Sequence, residues 1–170
     1  MARSEDGTAT IPFILFMPLY IMLVISSLEM GLLMIRHVML ERAVDLAVRD
    51  LRLGIGGTPS YDSVKSAICN NAGLIKDCMT TMHLELRPVS KATWEPLGSG
   101  PTCINRVEDP NPPVTFVPGV SNEMMLIRAC VKFSPMVPST GLGASMPKDS
   151  VGDYALVSST AFVNEPRPGS

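Results

Sequence analysis

The sequence predicts an α+β protein in which one long N-terminal helix packs on a small antiparallel sheet. Three observations carry this. Residues 11–35 form a strongly apolar run that holds a single charge, Glu29. Residues 36–53 continue it without a loop as an amphipathic helix and stop at Gly54. Beyond a second, short helix, three segments alternate apolar and polar residues at the period of a strand.

The apolar run comes first. As a helix it would span about 37 Å, more than the roughly 30 Å of a bilayer's hydrocarbon, so residues 8–35 are read as a transmembrane segment. Pro12 suits a first helical turn, where its missing N–H costs little. Pro18 removes the bond to the Ile14 carbonyl and loosens the helix, at about 3 kcal/mol in water and less in a packed bundle. A cleaved secretory signal has a shorter apolar core and a small-residue cleavage site, which Ser26-Ser27-Leu28-Glu29-Met30-Gly31 does not offer. Charge does not set the orientation: Arg3 and the terminal amine are offset by Glu5 and Asp6, while Arg36 and Arg42 lie on the far side.

In residues 36–53, Leu40, Val44, Ala47 and Leu51 follow a 3–4 spacing that leaves Glu41, Arg42, Asp45, Arg49 and Arg52 largely on other faces. Asp45 and Arg49 form an i,i+4 pair worth a few tenths of a kcal/mol. Gly54, with Gly56 and Gly57, supplies the stop. A short helix is expected from Tyr61 to about Asn71, capped by Ser60 and ended near Gly73. Strands are expected over 81–89, with Met82, Leu84 and Leu86 opposite His83, Glu85 and Arg87; over 123–133, with Met125, Ile127, Ala129, Val131 and Phe133 inward and Arg128, Cys130 and Lys132 outward; and over 154–163. Residues 88–118 hold seven prolines and the only tryptophan, Trp94, and read as a long loop pinned by Cys103. The domain proper is thus residues 54–164, followed by a tail at 165–170.

Composition narrows the function. The chain has 170 residues, mean hydropathy +0.25, and 14 basic against 16 acidic residues with no block of one sign. A nucleic-acid partner would need a basic stripe, so none is expected. The 12 methionines read as flexible apolar filler. Cys69, Cys78, Cys103 and Cys130 all follow the apolar run. Four cysteines on one side of a membrane, without ligand-pair spacing, suggest two disulfides in an oxidising compartment and place the C-terminal part outside the cytoplasm. Three pairings are open. Cys69–Cys78, closing a short turn, with Cys103–Cys130, tying the loop to a strand, is preferred. Zinc is the competitor, but only His83 lies nearby.

No catalytic constellation stands out, and no cofactor or metal is expected. His37 reads as an interfacial residue, and His83 with Glu85 as a solvated strand face lacking a third ligand. Gly54-Ile55-Gly56-Gly57 ends a helix instead of opening one, so its amides form no anion site. Residues 139–145 read as a turn-rich connection, since a nucleophile elbow requires Gly-x-Ser-x-Gly. Glu29, costing roughly 2.5–3.5 kcal/mol if ionised in lipid, should be protonated, near an interface or facing a partner helix.

The N-terminal stretch Glu5-Asp6-Gly7-Thr8-Ala9-Thr10-Ile11-Pro12-Phe13, then Pro18, then Glu29-Met30-Gly31, resembles the TadE/TadF family of minor pilins (pseudopilins) of tight-adherence (Flp, type IVc) pilus systems. The resemblance covers about residues 5–53 in pattern. It implies a pilin-like fold and a leader, residues 1–7, removed by a prepilin peptidase between Gly7 and Thr8. It aligns Phe13 with the family's aromatic at the sixth mature position, Pro18 with its proline at the eleventh, and Glu29 and Gly31 with its Glu-aromatic-Gly signature, Met30 replacing the aromatic. Phe13, Pro18, Glu29 and Gly31 are then the expected contacts with partner helices. The implied partners are other Tad pilins, the assembly platform and the membrane; the implied location is the inner membrane with the domain in the periplasm. One departure stands out: pilins usually carry Glu at the fifth mature position, and this chain has Pro12. The other functional reading is a single-pass, membrane-anchored binding or sensor subunit that uses the proline-rich loop for recognition.

Overall fold

The computed structural model describes residues 10–55, 57–90, 103–104, 113–139 and 141–166. Helix α1, Thr10–Leu53, runs unbroken for 44 residues, about 66 Å, through Pro18. Its two halves differ as the sequence pattern requires. The expected stripe of Leu40, Val44, Ala47 and Leu51 is buried, and Ala43 and Val48 widen it. Residues 10–24, in contrast, are all exposed. Gly54 ends the helix in the left-handed region (φ 65°). Its N–H donates to the Leu51 carbonyl and that of Ile55 to the Asp50 carbonyl, the bond pair of a Schellman motif.

Helix α2, Tyr61–Asn71, packs on α1. The Ser60 hydroxyl accepts from the Ser63 N–H while Ser63 returns the bond to the Ser60 N–H, which fixes the first turn. Cys69 is bonded to Cys78. Here the expected strand start is corrected. Cys78–Thr81 forms a single helical turn, α3, in which the Thr81 and Met82 N–H groups donate to the Asp77 and Cys78 carbonyls. Strand β1 therefore begins only at His83.

Three strands, β1 (His83–Pro88), β2 (Met124–Phe133) and β3 (Tyr154–Val163), form one antiparallel sheet in the order β1-β2-β3. The register sets Leu86 against Ile127 and Val131 against Leu156. Leu84, Leu86, Met125, Ile127, Ala129, Val131, Leu156 and Phe162 are buried in one core with the α1 stripe, Val64 and Ile68. The chain is α+β, a long helix packed on a small sheet. Along the other edge of β1, Leu86 exchanges backbone bonds with Thr115 and Val117. Phe116 packs edge-on against Tyr61 of α2, with ring centroids 5.9 Å apart.

The outer sheet face departs from expectation. His83 is only 1% exposed, and Cys130 and Lys132 are buried as well. His83 lies directly across from Cys130, and Cys130 is bonded to Cys103, so the position that alternation assigned to water carries a disulfide instead. Glu85, across from Arg128, pairs with its guanidinium at 3.6 Å. Among the described residues no group of three His, Cys, Asp or Glu could hold a metal. The stretch expected to be only a turn-rich connection contains a short helix, α4 (Gly141–Ser145), packed against α1.

Candidate functional site

The functional residues expected from sequence do not converge. Gly7, Thr8 and Trp94 lie outside the described residues. Phe13 is 61% exposed, and Pro18 and Gly31 are exposed too. A β-carbon at Gly31 would meet nothing within 4 Å, so that face of α1 is open to a neighbour. These three are spread along the helix as a free surface. Glu29 is different.

Glu29 is 2% exposed, and its two carboxyl oxygens accept the Met136 N–H at 3.1 and 2.9 Å. The sequence reading left Glu29 protonated, near an interface or facing a partner helix; the structure gives it a hydrogen-bond partner within the chain, 107 residues away. One turn earlier, Gly141 comes so close to α1 that a β-carbon there would collide with the Ser26 hydroxyl. Ser26 itself donates back to the Met22 carbonyl. Together these contacts clamp residues 134–139 and 141–146 onto α1 between Met22 and Glu29.

A second clamp lies seven residues up the helix. Arg36 sits 4.9 Å from the centroid of the Phe133 ring and donates to the Tyr154 hydroxyl at 2.9 Å. Phe133 and Tyr154 are cross-strand partners at the end of the sheet. A guanidinium stacked on one ring and bonded to another is worth about 0.5–2 kcal/mol in the cation–π part alone. Sequence reading counted Arg36 only as a flanking charge. The signal that could have marked it is position: it is the first basic residue after the apolar run.

The chain between the clamps is held by an acidic turn. Lys132 bonds Asp149 at 2.7 Å, and Asp149 also accepts the Val151 and Asp153 N–H groups. Burial pushes the Asp149 carboxyl upward, but the Lys132 ammonium and the two N–H groups outweigh it and hold the value below the ordinary 3.8. A depressed carboxylate stabilises the fold above its unfolded value and loses that contribution as pH falls through the folded one. Stability is therefore expected to decline below about pH 3.8, and Asp149→Asn to flatten that limb in an acid-unfolding series.

Glu29→Leu should leave the Met136 N–H without an acceptor, at about 1–3 kcal/mol. Faster amide exchange across residues 134–146, with the sheet unchanged, is the expected readout.

Two clefts flank the C-terminal half of α1. One, of about 140 Å³, lies against α2 and is lined by Ala47, Leu51, Pro59, Val64 and Ala67. The other, about 570 Å³ and open, runs between α1 and β3 and carries Asp45, Arg49, Arg52 and Glu165. In it Arg52 is already bonded to Glu165 at 3.2 Å.

No protein-family model matches this chain, and neither a curated protein nor a solved structure does so. Among the described residues one helix, α1, is long and apolar enough to cross a membrane, and its most apolar window is 0% buried. Both disulfides belong to the domain that follows, as an oxidising compartment allows.

Proposed function

We propose that the chain is a minor pilin-type subunit that takes part in assembling a tight-adherence pilus for surface attachment. The observation that carries this reading is the division of α1. Its second half is part of the domain's own core, while its first half contributes no residue to that core and residues 10–24 are exposed throughout. Such a half-helix is unstable in water and needs another apolar surroundings. In the proposed cycle, lipid supplies it first and the helices of other pilins later, so one surface serves both states. The N-terminal pattern around Gly7, Phe13, Pro18 and Glu29 supports the same assignment.

In this reading the domain faces the periplasm from the inner membrane, a prepilin peptidase cuts after Gly7, and other pilins and the assembly platform are the partners. Pro12 supplies neither the charge nor the donor that a stacked pilin would present to its neighbour's amine. A tip or initiating position, with a neighbour on one side only, suits that change. Mass spectrometry of sheared pili tests the role: the chain is expected at a small fraction of the major subunit, and near-equal abundance would exclude a tip or initiating role. Complete retention with the membrane after shearing, with no pilin co-purifying, favours the anchored binding or sensor subunit.

A further inference from the structure

We propose that the arm clamped to α1, residues 134–139 and 141–147, dips below the outer hydrocarbon boundary of the bilayer, in contact with lipid. This rests on the reading that α1 crosses the membrane. Counting about 20 residues from Ile11, the first apolar residue after the N-terminal charges, brings the far hydrocarbon boundary to Met30. The arm meets α1 below that level. Gly141 approaches Met22 and Ser26, and Met136 meets Glu29. Met22 to Glu29 is about 10 Å of helix. Any polypeptide beside that stretch shares its depth.

The chemistry of the arm fits such a position. Residues 134–147 contain no charged residue, and charges resume only at Lys148 and Asp149. Met136 is 58% exposed, and Val137, Leu142 and Met146 are partly so. Irregular backbone in an apolar medium must find its own hydrogen bonds. Pro135, Pro138 and Pro147 have no N–H to satisfy. The Met136 N–H goes to Glu29 and that of Met146 to the Leu142 carbonyl. The Lys148 ammonium caps the Pro138 and Gly143 carbonyls at 2.9 and 2.7 Å, placing a cation where the arm returns to water. Glu29, costly in lipid alone, is covered by this arm.

The test uses the full-length chain in phosphatidylcholine vesicles doped with a lipid that carries a photoactivatable diazirine on its acyl chain, followed by peptide mass spectrometry. Adducts are expected on residues 11–28 and also on 134–147. Val114, Val117 and Val120 are comparably exposed aliphatic side chains elsewhere on the domain and should stay unlabelled. Label on the helix but not on the arm would overturn the inference and leave the membrane-spanning reading intact. Equal label on the arm and on the three valines would also overturn it, since the arm would then be no closer to lipid than the domain surface. Absence of label from the helix as well would overturn both.

Discussion

Replacing Leu40 with alanine is expected to destabilise the folded domain by about 2–5 kcal/mol. Leu40 has no exposed surface and is the first fully buried residue of the α1 stripe, where the free half of the helix gives way to the half that the domain wraps. Truncating it leaves a cavity among groups held from several directions: the helix, the sheet, and the Arg36 clamp one turn away. Such a site collapses poorly, which puts the cost toward the upper part of the range. Denaturant unfolding of the detergent-solubilised chain, followed by near-ultraviolet circular dichroism, would measure it. Leu15→Ala, in the exposed half, should leave the same transition unmoved. The contrast is the informative part, because the two leucines sit on one continuous helix.

The second substitution concerns the loop. Cys103→Ala with Cys130→Ala removes a bond that closes 27 residues of chain. In the chain-entropy model that bond contributes about 3.5 kcal/mol. The Cys69–Cys78 bond closes only 9 and contributes about 2.5 kcal/mol in the same model. The double variant at 103 and 130 is therefore expected to lose more stability than the equivalent variant at 69 and 78. It should also leave His83, the cross-strand neighbour of Cys130, more open to solvent. Stronger labelling of His83 by a histidine-directed covalent reagent in the variant than in the parent chain would show that the disulfide, and not the strand pattern, keeps that face covered.

Much of this architecture was legible because it is written locally. The 3–4 spacing of Leu40, Val44, Ala47 and Leu51 marked the buried face of α1, and Ser60 marked the start of α2 to the residue. The alternation in β2 selected its inward set, Met125 to Phe133, without error. The misses share a cause. Helix α3 begins at Cys78, which is bonded back to α2, and α4 begins at Gly141, which lies against Ser26; neither has enough residues to show a period of its own. Cys130 and Lys132 find their partners, Cys103 and Asp149, outside the strand, which alternation within one strand cannot register. Glu29 is the clearest case. Its charge in an apolar run correctly marked it as needing a partner, but no local rule could point 107 residues onward to the Met136 N–H.

The membrane and assembly reading turns on what happens at the start of the chain. A half-helix that contributes nothing to the core must be shielded by lipid or by other helices. In the proposed cycle the exchange between the two follows removal of the leader. Intact-mass analysis of the native protein, purified from membranes and from sheared pili, reads this in one step. The account predicts a mature chain that begins at Thr8 in both fractions. A chain that keeps residues 1–7 and is absent from the pilus fraction would contradict it.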